Sequence, residues 1–205
     1  NFTAKEAQDL AVLLRSGALP VSLKVMEKRS IGPTLGADSL DKSLKAGLVG
    51  LIAILVFMIG YYRLPGLIAD LSLVIYTMLV LGTMAILDAV LTLPGIAGFA
   101  LSIGMAVDAN VIIYERIKEE LRWGKTLVAA IEAGFKRAFT AIFDANITTL
   151  ITAAVLMYFG TGPIKGFAVT LSIGIVASLL VALTFTRYML VLFANITKNE
   201  KAYGI

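Results

Sequence analysis

The chain has 205 residues, of which 59% are hydrophobic and 16% charged, with a formal net charge of +4. A soluble domain carries roughly 45–50% apolar and about 25% charged residues, so this composition points to a bilayer rather than an aqueous core as the solvent. Cysteine and histidine are both absent, which excludes a disulfide framework, a thiolate metal site and the commonest general base. Proton chemistry then falls to carboxylates, tyrosine, lysine or water. No phosphate-cradling glycine loop, HExxH pair or nucleophile elbow is present, which argues against ATP hydrolysis and against an enzyme. No cofactor or metal is expected. The positive charge fits membrane-flanking loops, so nucleic-acid binding is not inferred.

Residues 1–45 are polar and read as the C-terminal end of a larger extramembrane domain. The chain begins Asn1-Phe2-Thr3 with no basic-then-apolar leader, so further sequence upstream is expected. Thr3 and Glu6 have capping-box spacing before Leu10, Val12, Leu13 and Leu14, and Gly17 suits the helix stop. Val21, Leu23 and Val25 alternate with Ser22 and Lys24, the pattern of a half-buried strand. Gly32-Pro33 and Gly36 then punctuate the chain.

Apolar spans follow at about 46–62, 67–91, 95–117, 141–159 and 164–194, a transmembrane bundle over 46–197 with a short tail at 198–205. Arg63-Leu64-Pro65-Gly66, Leu93-Pro94-Gly95 and Gly160-Thr161-Gly162-Pro163 form tight connections. Residues 118–140 carry charges on one side and Leu121, Leu127, Val128, Ile131 and Phe135 on the other, which predicts a helix on the membrane surface. Arg116, Lys118, Arg122, Lys125, Lys136 and Arg137 make this loop cytoplasmic by the positive-inside rule; Arg63, Arg187, Lys198 and Lys201 fall on the same side. The N-terminal segment then lies outside. It carries Lys24, Lys28, Arg29, Lys42 and Lys45, which long translocated domains tolerate. Two short runs echo each other. Gly98-Phe99-Ala100 with Ser102-Ile103-Gly104 resembles Gly166-Phe167-Ala168 with Ser172-Ile173-Gly174, and Asp108-Ala109-Asn110 returns as Asp144-Ala145-Asn146 at a different offset.

Asp108 lies about 18 Å along the third span, near the middle of a hydrocarbon core about 30 Å thick. An aspartate there costs roughly 2.5–3.5 kcal/mol on insertion scales. It is read either as a group that takes up and releases protons or as a permanently neutral hydrogen bonder. Ala97, Ala100 and Gly104 share its side, so a second helix is expected close against it. No Lys or Arg of the sequence lies at the same depth, so a charged Asp108 calls for water or a cation from another subunit. Asn110 faces about 160° away and is expected to bond a different helix. Asp144, Thr148 and Thr152 share a face at the start of the fourth span, with Asn146 and Thr149 nearby. Capping and packing, or a proton relay, both suit Asp144. Glu115 and Arg116 predict an interfacial ion pair. Asp70 and Asp88 sit near opposite ends of the second span and are expected to be wet.

Three blocks carry a family resemblance. Gly98 to Gly104, Ala106-Val107-Asp108-Ala109-Asn110-Val111 and Glu115-Arg116-Ile117-Lys118-Glu119-Glu120 resemble the fourth transmembrane segment of the SecD family of bacterial protein-export subunits, relatives of the resistance–nodulation–division transporters. Phe143-Asp144-Ala145-Asn146-Ile147-Thr148-Thr149-Leu150 resembles the fifth segment, and Gly160-Thr161-Gly162 with Ile164-Lys165-Gly166-Phe167-Ala168 the start of the sixth. Leu13-Leu14-Arg15-Ser16-Gly17-Ala18-Leu19-Pro20 and Ile31-Gly32-Pro33-Thr34-Leu35-Gly36 resemble the end of the family's periplasmic domain. The resemblance implies an all-α membrane bundle holding the second to sixth spans of a six-span half, with a small remnant of an α+β periplasmic domain. It implies an inner-membrane subunit that uses the proton-motive force to assist preprotein translocation, with a SecF half, the SecYEG channel, YajC and unfolded preprotein as partners. It implies that the acid at Asp108 takes part in proton movement together with charged residues of the SecF half. From their placement in the spans, Asn110, Asp144, Asn146 and Thr148 are taken with it as a candidate proton pathway, and Gly98 and Gly104 as a helix-packing seam. A passive assembly scaffold and half of a small-molecule efflux transporter are the alternatives.

Overall fold

The computed structural model describes residues 3–15, 33–197 and 203. The chain divides into two compact units, 1–36 and 37–205. In the first, helix α1 covers Ala4–Arg15, where the capping-box spacing and leucine run predict a helix. The strand expected around Val21, Leu23 and Val25, and the stop at Gly17, lie outside the described residues, as do Lys198 and Lys201 in the tail.

The helices that follow are α2 (Pro33–Tyr62), α3 (Leu64–Ile86), α4 (Leu93–Arg122), α5 (Leu127–Phe159), α6 (Gly162–Leu180) and α7 (Arg187–Thr197), the last two joined without a break by a π-helical segment, Val181–Thr186. Among the described residues five stretches are long and apolar enough to cross a membrane: Asp38–Tyr62, Leu64–Ile86, Leu93–Arg122, Leu127–Phe159 and Gly162–Ile196. The bundle of five spans is therefore what the sequence leads one to expect, and no strand occurs among the described residues.

The helix ends follow from local chemistry. Thr92 caps α4 by accepting a hydrogen bond from the Gly95 amide at 3.1 Å, with Pro94 in the first turn. A single residue, Arg63, joins α2 to α3 with φ 55°, and Asp88 beyond the end of α3 has φ 49°. Left-handed backbone is unusual at a non-glycine residue and marks sharp reversals of the chain here.

Residues 118–140 depart from expectation. They do not form a separate surface helix. They are the last turns of α4 and the first turns of α5, two continuous helices joined by a short turn at 123–126. The apolar stripe proposed for the bilayer surface instead packs inside the bundle: Leu127, Ile131 and Phe135 are buried with Ile113, Tyr114 and Ile117 of α4. The two readings share one amphipathic pattern, since a partner helix buries an apolar stripe as well as a lipid surface does. At 30 and 33 residues, α4 and α5 are about 45 and 50 Å long, so both extend well past a hydrocarbon core of about 30 Å.

Parallel α4 and α6 form a close seam. A Cβ on Gly98 would lie 3.0 Å from the Phe167 carbonyl oxygen, and one on Gly174 would lie 2.5 Å from both Cβ and Oγ of Ser102. The echoing runs of the sequence are thus packed on one another. Small residues bring two backbones together in lipid, where packing replaces the hydrophobic effect between helices. Antiparallel α4 and α5 approach as closely at Gly134, where a Cβ would meet Ile117 Cγ1 at 2.6 Å. Helix α2 is different. Met58 and Tyr62 at its end join the core, while Leu44, Leu48, Val49, Ile52, Val56 and Phe57 are exposed on this chain.

Candidate functional site: the faces of helix α4

One face of α4 carries Gly95, Gly98, Ser102, Ala106, Ala109 and Ile113, all buried. This face meets α6 and α3. The other carries Ala97, Ala100, Gly104 and Asp108, all exposed on this chain. A Cβ on Gly104 would find no atom within 4 Å. The expected seam therefore divides. Gly98 packs against α6, whereas Gly104 lies on the open side with Asp108, because six residues along a helix turn through about 240° of difference. Among the described residues no hydrogen bond or ion pair reaches the Asp108 carboxyl.

Asp144 and Thr148 of α5 are exposed as well. The antiparallel contact of Ile117 with Gly134 fixes the register: ten residues beyond Gly134 is Asp144, and ten before Ile117 is Val107. Asp144 is thus about level with Asp108. The threonines around it are occupied locally, Thr148 donating to the Asp144 carbonyl at 2.9 Å, Thr149 to Ala145 at 3.0 Å and Thr152 to Thr148 at 3.1 Å. Such back-bonding satisfies a hydroxyl within its own helix, and none of these reaches Asp108.

The two asparagines point inward. Asn110 is 5% and Asn146 6% exposed, and each has a buried Oδ1 without a partner. The Asn146 amide nitrogen donates to the Ile142 carbonyl at 2.7 Å. Asn110 lines a cavity of about 10 Å³ between α3, α4, α6 and the π segment, beside Ser72, Tyr76 and Ser178, room for about one water. Around it Ser72 Oγ and Thr186 Oγ1 share a hydrogen bond at 2.8 Å, and Tyr76 OH and Ser102 Oγ another at 2.6 Å. Asp108 and Asn110 therefore serve opposite sides of one helix, as their separation of about 160° requires.

This interior polar layer is largely absent from the sequence reading. Ser and Thr in spans give little warning, since most bond their own helix. Asp70 is also corrected: one of its carboxyl oxygens is buried and unpartnered rather than wet. Asp88 is exposed, as expected.

The charged end differs from the predicted Glu115–Arg116 pair. Those neighbours diverge by 100° on a helix, and each takes a partner three residues on. Arg116 Nη1 binds Glu119 at 2.7 and 2.9 Å, and Lys118 Nζ lies 3.5 Å from Glu115 while sitting 4.6 Å from the rings of Tyr61 and Tyr62. Glu120, 1% exposed, binds Arg137 Nη1 at 2.8 Å and Lys125 Nζ at 2.5 Å, and so ties the two helices together. Among the described residues no group of three carboxylates, histidines or cysteines could hold a metal.

Fold and site together define a multi-pass helical membrane protein with a carboxylate inside a span, without an ion pair among the described residues, on an exposed small-residue helix face. Comparison with known proteins places it further. Residues 15–195 match the model of the C-terminal region of protein export membrane protein SecD/SecF, and the chain belongs to that family. Protein translocase subunit SecD of Acidaminococcus fermentans is 58% identical over 203 residues, covering 98% of this chain and 49% of that protein. SecD of Synechocystis is 58% identical over 190 residues, covering 93% and 40%. The crystal structure of SecDF from Thermus, described as a translocon-associated membrane protein, superposes with a TM-score of 0.84 at 47% identity, covering 97% of this chain and 28% of that one. The chain thus spans about half or less of these relatives.

Proposed function

We propose that this chain is the membrane part of a SecD-type translocase subunit and that Asp108 carries protons for it, coupling the proton-motive force to preprotein export across the bacterial inner membrane. The observation that supports this reading is the placement of Asp108: inside a span, on an exposed face of small residues whose Ala97 and Ala100 line an open cleft with α2, with no ion pair among the described residues. A matching helix of a SecF-type half would close on Ala97, Ala100 and Gly104 and supply the missing cation. Protonated, Asp108 tolerates that apolar seam; ionised, it favours a packing that admits water or the partner's cation. One charge crossing about 100 mV is worth about 2.3 kcal/mol, near a fiftyfold shift between two packings. The basic end, with the overhanging α4 and α5, is the cytoplasmic side in this reading, and SecYEG and YajC are partners of the assembled protein.

The test is Asp108→Asn in the full-length protein with its SecF half. Loss of both proton flux and proton-dependent export is expected, with assembly intact. Normal flux and export would remove Asp108 from the mechanism and leave a structural scaffold.

A further inference from the structure

At the basic end, α5 and the π segment enclose a cleft of about 550 Å³ lined by Glu132, Phe135, Lys136, Phe139, Leu183 and Arg187. Its two cations stand apart from their neighbours. Lys118, Arg116, Lys125 and Arg137 are all engaged by Glu115, Glu119 or Glu120. No carboxylate of the described residues lies within ion-pair distance of Lys136 or Arg187, and Arg187 instead holds its guanidinium 6.0 Å from the ring of Phe135. Glu132 lines the same cleft without pairing with either.

Depth sorts these side chains. Phe159 ends α5 and Gly162 begins α6 at the far side of the bundle. Counted from there at about 1.5 Å per residue, Lys136 and Arg187 lie about 35 and 38 Å along their helices. Phe139 and Leu183 lie about 30 and 32 Å along, and Glu132 about 40 Å. A hydrocarbon core about 30 Å thick therefore ends at Phe139 and Leu183, and the cations fall at the headgroup level. Phe143, one turn deeper and stacked on Phe139 at 5.6 Å, continues the apolar track into the core.

We propose that this cleft binds an anionic phospholipid carrying one phosphodiester charge, of the phosphatidylglycerol class. The phosphate lies between Lys136 and Arg187, an acyl chain runs inward over Leu183, Phe139 and Phe143, and Glu132 accepts a hydrogen bond from a headgroup hydroxyl. Two cations and one carboxylate leave the cleft with a single net positive charge, which one phosphodiester neutralises. Basic pockets between helices at this depth are a recurrent form of lipid headgroup site. The π segment, Val181–Thr186, supplies Leu183 to the cleft, and such segments gather at functional positions. Thr186 fixes it to α3 through Ser72 at 2.8 Å.

The experiment is native mass spectrometry of the full-length protein, delipidated and then offered phosphatidylglycerol, phosphatidylethanolamine or soluble glycerol phosphate. Retention of phosphatidylglycerol above the zwitterionic lipid, and no retention of glycerol phosphate, are expected. Lys136→Gln and Arg187→Gln should each weaken retention about fivefold, from about 1 kcal/mol per basic residue near the surface, while Lys136→Arg restores it. Arg122→Gln, at the same end but outside the cleft, should leave it unchanged. Equal retention of both lipids, or undiminished retention by the folded double variant, overturns the proposal. Neither result bears on proton flux through Asp108.

Discussion

Two glycines of similar appearance in the sequence should respond oppositely to alanine. At Gly174 the added methyl would lie 2.5 Å from Ser102 and 2.9 Å from Tyr76 OH, against an ordinary carbon contact of about 3.5–4.0 Å. Helices α4 and α6 must then separate by about 1 Å, or the Tyr76–Ser102 hydrogen bond must break. Overpacking costs about 1–3 kcal/mol, and a buried hydroxyl left without its partner about 1–3 kcal/mol more. Because one relieves the other, the expected loss for Gly174→Ala is about 2–3 kcal/mol. At Gly104 the same methyl meets nothing within 4 Å, so the bundle should keep its stability, and any defect should appear only in assembly with a second half. Thermal unfolding of both variants in detergent, followed by circular dichroism, reads the first quantity; co-purification with the SecF half reads the second. A Gly174→Ala protein as stable as wild type would refute the seam, and a Gly104→Ala protein that unfolds early would refute the open face.

Asn110→Leu removes an unpartnered buried oxygen and fills a one-water cavity, so thermal stability should hold or rise; a loss above about 2 kcal/mol would mean the amide is bonded to something the fold requires. Arg137→Gln takes one of two cations from Glu120, and amide hydrogen exchange across 118–140 should accelerate while 164–180 stays protected; uniform exchange would show that the ion pairs do not hold the α4–α5 end. Lys136→Gln, which touches none of those pairs, should leave that exchange pattern alone.

Much of the architecture was legible because lipid imposes a simple rule: a span must be long, apolar and helical. The five spans follow from it. The ends of α4 and α5 were not legible, since the stripe of Leu127, Ile131 and Phe135 looks the same whether bilayer or helix covers it. Gly104 has no close neighbour among the described residues, because small residues announce close approach without naming the partner. Nor did spacing reveal the layer around Asn110. Ser72, Tyr76, Ser102 and Thr186 are brought together from α3, α4 and the π segment, and only the register of those helices decides that they meet.

The overhang of α4 has a mechanical consequence. From Asp108 to Arg122 the helix runs fourteen residues, about 21 Å of stiff rod, braced to α5 by Glu120 with Arg137 and Lys125. A tilt of about 10° pivoting at Asp108 would displace the tip by about 4 Å. Small adjustments at a carboxyl group hidden in lipid would thereby emerge outside the bilayer as a stroke wide enough for another protein to feel.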